Sequence, residues 1–283
     1  MRTLTTVAAM REEARALKNA GRTIGFVPTM GYLHEGHLSL VRASKEAADA
    51  TVASIFVNPA QFGPREDFAR YPRDLARDSA LLLGEGTDVL FAPEAEDMYP
   101  PGFRTFVEVE GLQDKLCGKT RPGHFRGVCT VVLKLFEIVR PDTAFFGQKD
   151  AQQALILKKM TADLNLGVRV EVRPIVREPD GLALSSRNKY LSPDERRAAV
   201  VLSHSLAEAA AAVKAGERRP EAVIGVIRGL IGREPAAHVD YVEIVDTGTL
   251  EPAPDAGPGR LVALAVYFGA TRLIDNLIVP KQG

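Results

Sequence analysis

Two cysteines, Cys117 and Cys129, are all that the 283 residues contain, too few for a disulfide framework. Cys129 falls in an apolar helical run, 128–135, where a free thiol acts as a small core residue. Cys117 lies in an expected loop with no neighbours in the sequence that suggest a reactive thiolate. Neither is assigned chemistry. Charge of one sign is also lacking: 36 Lys and Arg face 36 Asp and Glu, so no overall field draws in nucleic acid or an anionic membrane. No apolar run approaches the length of a membrane span. Met1-Arg2-Thr3-Leu4 opens neither a signal h-region nor a cleavage pattern. Repeats and low-complexity tracts are missing too. The expectation is a cytoplasmic protein with small-molecule partners, no nucleic acid and no membrane, long enough for one large or two modest domains.

What is present centres on Phe26-Val27-Pro28-Thr29-Met30-Gly31-Tyr32-Leu33-His34-Glu35-Gly36-His37. The run 24–27 reads as a buried strand, and Pro28 forbids its continuation into a central ladder. Thr29-Met30-Gly31 makes a turn in which Gly31 is free to take a positive φ. Leu38, Leu40, Val41 and Ala47 then give an amphipathic helix. A strand, a glycine turn and a helix start form a phosphate site, because backbone N–H groups and the positive end of the helix dipole face the loop. His34 and His37, three apart, share one face of the first turn, and Gly36 leaves room for a nucleotide. A helix cap or a metal pair would use the same spacing, but no third histidine or cysteine cluster follows to complete a metal site.

The remainder alternates strands and helices. Helices are expected over 7–19, from about 38 to 48, 72–84, 128–139 and from about 151 to 164. Strands are expected over 51–57, 88–92, 105–109, 143–146 and 168–176. This is an α/β fold, Rossmann-like, with a mostly parallel sheet and helices on both faces. After Val176 come a long helix, 193–215, capped by Ser192 with Pro193 at its first position, a second helix, 220–232, and three strands near 239–245, 261–267 and 272–279. They read as a small C-terminal α+β domain covering the active site, giving domains at 1–175 and 176–283. His204 and His238 are structural. Gly118-Lys119-Thr120 imitates the end of a Walker A motif but lacks its upstream glycine, so the match is rejected. The charged segment 65–71 is the candidate for a mobile flap.

Three segments can meet one polyphosphate: the two-histidine turn, Gln148-Lys149-Asp150 behind Gly147, and Ser185-Ser186-Arg187. Imidazole, ammonium and guanidinium groups suit the charge that develops when an α-phosphate is attacked and diphosphate leaves. With no P-loop and no kinase loop, nucleotidyl transfer is favoured over γ-phosphoryl transfer.

These residues carry a resemblance that extends over nearly the whole chain. Pro28-Thr29-Met30-Gly31 with Leu33-His34-Glu35-Gly36-His37, Phe56-Val57-Asn58-Pro59 with Gln61-Phe62, Arg121-Pro122-Gly123-His124-Phe125-Arg126-Gly127-Val128, Phe146-Gly147-Gln148-Lys149-Asp150 with Gln152-Gln153, Leu184-Ser185-Ser186-Arg187-Asn188 and Thr271-Arg272-Leu273-Ile274-Asp275-Asn276 resemble the pantoate–β-alanine ligase (pantothenate synthetase) family. That family lies in the nucleotidyltransferase superfamily related to class I aminoacyl-tRNA synthetases. The resemblance implies ATP-dependent condensation of (R)-pantoate with β-alanine through a pantoyl adenylate. It implies ATP contacts from Met30, Gly31, Tyr32, Leu33, His34, Glu35, Gly36 and His37, from Gly147, Gln148, Lys149 and Asp150, and from Val176, Leu184, Ser185, Ser186 and Arg187. His37 is the implied proton donor, with His34, Lys149 and Arg187 beside it in catalysis. Gln61 and Gln153 are the implied pantoate ligands, Gln61 also meeting β-alanine. Mg²⁺ is expected with the nucleotide, its protein ligands unassigned beyond an unsupported possibility at Asp78. A homodimer is implied as well.

Overall fold

The computed structural model describes residues 1–64 and 66–280. The chain folds as two units, one of Met1–Gln113, Arg121–Gln148 and Gln153–Pro174, the other of Asp114–Thr120, Lys149–Gln152 and Ile175–Gly283.

The first unit is built on six parallel strands, β1 (Arg2–Leu4), β2 (Ile24–Thr29), β3 (Ala50–Ile55), β4 (Val89–Phe91), β5 (Thr143–Gly147) and β6 (Arg169–Arg173), in the order β1-β4-β3-β2-β5-β6. The helices of this unit are α1 (Val7–Asn19), α2 (Glu35–Ala47), α3 (Leu75–Gly84), the short α4 (Ala95–Met98), α6 (His124–Val139) and most of α7 (Ala151–Asp163); α5 (Cys117–Thr120) belongs to the second unit. With the right-handed crossovers general to parallel strands, this strand order puts α1, α6 and α7 on one face and α2 and α3 on the other; α1 packs on α6 and α2 on α3. Local chemistry supports these ends. The Thr6 hydroxyl accepts from Ala9 N–H to start α1, and the Asp74 carboxylate accepts from Arg77 N–H to start α3. Val27, Leu33, Leu40, Val41, Ala53, Leu82, Leu90 and Phe145 form one buried cluster.

Several expectations are corrected. Pro28 does sit inside a central strand, paired with Ser54 of β3. It is tolerated because the β2–β5 ladder ends at Phe26, so no neighbour on that side needs its missing N–H. Residues 105–109 form no strand; Val107 N–H is satisfied by the Thr130 hydroxyl instead. β1 had no apolar pattern to reveal it, being a three-residue edge strand, Arg-Thr-Leu. Residues 124–127, expected as loop, are the first turn of α6. Of the expected flap, Arg65 lies outside the described residues. Phe68–Arg70 form a 3₁₀ turn, and Phe68 and Tyr71 pack on Phe62 with ring centroids 5.4 and 5.9 Å away.

The second unit holds α8 (Pro193–Ala198), α9 (Val201–Lys214) and α10 (Pro220–Ile231) with the antiparallel sheet β7 (Ala237–Val245), β8 (Leu261–Phe268) and β9 (Thr271–Ile278). Ser192 and Glu195 form a reciprocal capping box with Pro193 at the first position. The single long helix expected there is two. Ala199 and Val200 stay helical in φ but tighten to ψ of −20° and −23°, the values of a 3₁₀ turn. Val223, Ile227, Leu202, Leu206, Val262, Leu264 and Val266 make the core of this unit. Among the described residues no helix is long and apolar enough to cross a membrane.

Candidate active site

The strand order reverses between β2 and β5: β3 lies on one side of β2, β5 on the other. In open parallel sheets ligands bind at such a switch point, outside the carboxyl ends of the strands. The two-histidine turn leaves the end of β2, and Gly147-Gln148 leaves the end of β5. A Cβ added at Gly147 would meet nothing within 4 Å, so the backbone there is open to close approach.

The turn after β2 takes two consecutive left-handed residues, Gly31 at φ 84° and Tyr32 at φ 50°. Glycine accepts this freely; a tyrosine must be held. The holder is Asp78 on α3, fully buried, whose Oδ2 accepts from Tyr32 N–H at 2.6 Å and whose Oδ1 accepts from Leu33 N–H at 2.8 Å. Arg77 adds a hydrogen bond to the Leu33 carbonyl at 2.9 Å and stacks over the Tyr32 ring at 5.1 Å. Asp78, weighed above only as a possible Mg²⁺ ligand, instead fixes the turn. No sequence signal joins positions 46 residues apart. Burial pushes its carboxyl above the ordinary aspartate range, while the Leu33 and Tyr32 amides and Arg77 pull it back. With the folded pKa above the unfolded one, stability falls as pH rises through the window between them. Asp78→Asn exchanges one acceptor oxygen for a donor that faces a backbone N–H. We expect an ATP KM about ten- to a hundredfold higher, since a hydrogen bond to a charged group is worth roughly 1.5–3 kcal/mol. An unchanged ATP KM would show that the turn holds without the charge.

His34 is the N-cap residue of α2, and its N–H donates to Nδ1 of His37 at 3.3 Å. The cap and the shared face are both real: the two rings stand 4.1 Å apart between centroids. Because Nδ1 of His37 accepts, the proton of the neutral ring is on Nε2. Glu35 is turned elsewhere; its carboxylate pairs with Arg42, which lowers its pKa. Any contribution of Glu35 to an anion is therefore through the main chain at the helix N-terminus.

Gln61 ends a 3₁₀ turn, Pro59–Gln61, after β3. Asn58, 1% exposed, organises it: Nδ2 donates to Gln61 Oε1 at 3.0 Å and to the Gly127 carbonyl at 3.1 Å, while Oδ1 accepts from Tyr99 Oη at 2.7 Å and Ala60 N–H at 3.3 Å. With Oε1 occupied by Asn58, Gln61 presents its Nε2 donors, one of them against Met30 Sδ at 3.1 Å. A donor at that place suits an oxygen-rich substrate. Gln153 is half-buried near the start of α7. Asn58 and His124, whose Nδ1 contacts the Gln61 carbonyl at 2.8 Å, had no role assigned from sequence.

In the second unit β9 holds the backbone at Lys149 and the side chain of Arg177. Asn276 Nδ2 donates to the Lys149 carbonyl at 3.0 Å, and Asp275, 2% exposed, takes both arms of Arg177 at 2.7 and 2.9 Å. The Leu184 N–H bonds the Val176 carbonyl at 3.0 Å, and the Ser185 hydroxyl accepts from Arg187 N–H at 3.3 Å. The motif Asp275-Asn276 thus positions two segments far from it in sequence. Lys119 of the rejected Walker-like triplet pairs with Glu243 at 2.9 Å. Cys117, expected in a loop, opens α5 and is buried, 3.3 Å from Tyr241 Oη.

Known proteins resemble this chain along nearly its whole length. A family model described as pantoate-beta-alanine ligase matches residues 2–278. The chain is 57% identical to the pantothenate synthetase of Acetivibrio thermocellus over 99% of both chains. It is 58% identical to that of Pelotomaculum thermopropionicum over 97% of both. The crystal structure of pantothenate synthetase from Thermus thermophilus matches with a TM-score of 0.94 at 47% identity, covering 99% of this chain and 100% of that one. A pantoate-beta-alanine ligase from Francisella tularensis, complexed with beta-gamma ATP and beta-alanine, matches with a TM-score of 0.81 at 33% identity, covering 100% and 99%. The chain belongs to the pantoate–β-alanine ligase family.

Proposed function

We propose that this chain condenses (R)-pantoate with β-alanine in two steps. A pantoate carboxylate oxygen attacks the α-phosphorus of ATP, the bond to the β-phosphate oxygen breaks, and diphosphate leaves. The amine of β-alanine then attacks the activated carbonyl carbon, the carbon–oxygen bond to phosphate breaks, AMP leaves, and the nitrogen gives up a proton to form the amide. Activation is required because a free carboxylate is a poor electrophile.

The observation that carries this proposal is the turn at the β2 switch point, where His37 is held with its proton on Nε2 at a helix N-terminus. Such a donor strengthens its bond as negative charge grows on the α-phosphate oxygens. ATP is assigned to Met30–His37, Gly147–Asp150, Val176 and Leu184–Arg187, with His34, Lys149 and Arg187 supporting the departing diphosphate. Pantoate is assigned to Gln61 and Gln153, and β-alanine to Gln61. The turn at 66–71, packed on Phe62 beside Gln61, is assigned the role of keeping water from a hydrolysable adenylate. Among the described residues no group of three or more His, Cys, Asp or Glu makes a metal cage, and Asp78 is committed to the turn. This donor set fits Mg²⁺ carried on the nucleotide phosphates with its own waters, where it would neutralise phosphate charge. Cytoplasmic placement and a homodimer belong to the same proposal, and sedimentation tests the latter.

The test is a product balance. With ATP, pantoate and β-alanine, pantothenate, AMP and diphosphate are expected in equal amounts; formation of ADP would contradict the assignment.

A further inference from the structure

Gln61 is gripped at three places, and one of the grips comes from a residue with no place in the chemistry above. The side-chain amide is set by Asn58. The Cα lies against Gly127, where an added Cβ would stand 2.6 Å from it. The carbonyl is held by His124, the first residue of α6, whose Nδ1 lies 2.8 Å away.

The hydrogen bonds of His124 assign its tautomer. A carbonyl only accepts, so Nδ1 carries the proton. Arg121 Nη1 lies 3.0 Å from Nε2, and a guanidinium only donates, so Nε2 is the acceptor. Arg121 is fixed in turn by Glu66, with Nε–Oε1 at 2.9 Å and Nη2–Oε2 at 2.6 Å, a two-point geometry that determines orientation as well as distance. The chain of contacts is continuous: Glu66 orients Arg121, Arg121 donates to Nε2 of His124, and His124 donates from Nδ1 to Gln61. All four residues belong to the first unit.

We propose that His124 is a positioning residue for pantoate: it fixes the main chain of Gln61 so that the side-chain donors of Gln61 meet the substrate oxygens. This inference rests on the assignment of Gln61 to pantoate made above. The residue touches no reacting atom. Its effect therefore falls on the substrates assigned to Gln61, and the turn that holds ATP is anchored separately by Asp78.

The two ring nitrogens can be replaced one at a time. Asparagine places an amide at the position of Nδ1 and keeps a donor to the Gln61 carbonyl; glutamine reaches the position of Nε2 and does not. The experiment measures kcat and the KM of each substrate for Q61A, H124A, H124N and H124Q, with thermal melting of each. We expect H124A and H124Q to raise the pantoate KM about tenfold, as befits one lost hydrogen bond to a positioned group. Their ATP KM and kcat stay within about twofold, and H124N recovers most of the pantoate KM. Should Q61A leave the pantoate KM unchanged, the assignment of Gln61 itself fails. Should Q61A raise it while H124A does not, the role of His124 is overturned and Gln61 stands. If all three His124 variants lower Tm and shift every kinetic constant alike, His124 is only structural and the inference is overturned. H124N, keeping the contact, secures a readable answer where H124A folds poorly.

Discussion

His37→Ala is expected to lower kcat by about 10²–10³-fold while leaving the ATP KM within a few-fold of the original, the usual consequence of removing one donor from a developing oxyanion. The split is expected because, in the proposed mechanism, Nε2–H meets charge that grows only as the α-phosphate is attacked, so its loss weakens the transition state more than the bound nucleotide. The substitution also removes the acceptor for His34 N–H, 3.3 Å from Nδ1, and so loosens the start of α2. His37→Asn separates the two effects. Its Oδ1 falls where Nδ1 was and keeps the cap, while nothing replaces Nε2. We expect Tm near the original for His37→Asn with kcat as low as in the alanine variant. A His37→Asn enzyme with near-normal kcat would remove the ring from the chemistry and leave it as a cap alone.

Gly127→Ala is expected to raise the pantoate KM about tenfold or more and to lower Tm by several degrees, because overpacking a filled interior costs about 1–3 kcal/mol. The added Cβ would stand 2.2 Å from the Ala60 oxygen and 2.4 Å from the Ala60 carbonyl carbon, and backbone cannot rotate away as a side chain can. Something must move, and α6 is the less able to do so. Phe125, Val128, Cys129, Val132 and Phe136 are all buried along it, and burial pushes the Cys129 thiol up to about 12. The Pro59–Gln61 turn yields instead, carrying Gln61 away from Met30 and straining the bond from Asn58 to the Gly127 carbonyl. ATP affinity is expected to change little, since the nucleotide turn is anchored on α3. A variant with normal pantoate KM would show that the close approach of α6 has no bearing on the substrate.

Much of the fold was legible because its signals are local. The apolar runs of β2, β3 and β5, the cap at Ser192 and the alternation of strand with helix each depend on a few neighbouring residues. β1 was not legible, since an edge strand of three residues, only half buried at Leu4, needs no apolar pattern. Residues 105–109 had the pattern of a strand but no ladder to join; a helix hydroxyl took the one N–H in question. Pro28 was read by a rule for central strands that holds only where both neighbours pair, and here one ladder stops short. The site shows the same division. The residues offered to ligand sit in compact motifs, and their types announce anion chemistry. The residues that hold them do not. Asp78 lies on another helix, Asn276 reaches Lys149 from 127 positions away, and His124 reaches the Gln61 carbonyl from 63. Such contacts exist only once the chain has folded, and nothing in the spacing along the sequence records them.

In the proposed mechanism the turn after β2 activates a carboxylate as its adenylate before any amine is involved. Isotope exchange between diphosphate and ATP measures that step alone. Exchange is expected when pantoate is added without β-alanine, to be lost without pantoate, and to fall in His37→Asn in parallel with kcat. Exchange that proceeds without pantoate, or that appears only once β-alanine is present, would contradict the ordered adenylate mechanism.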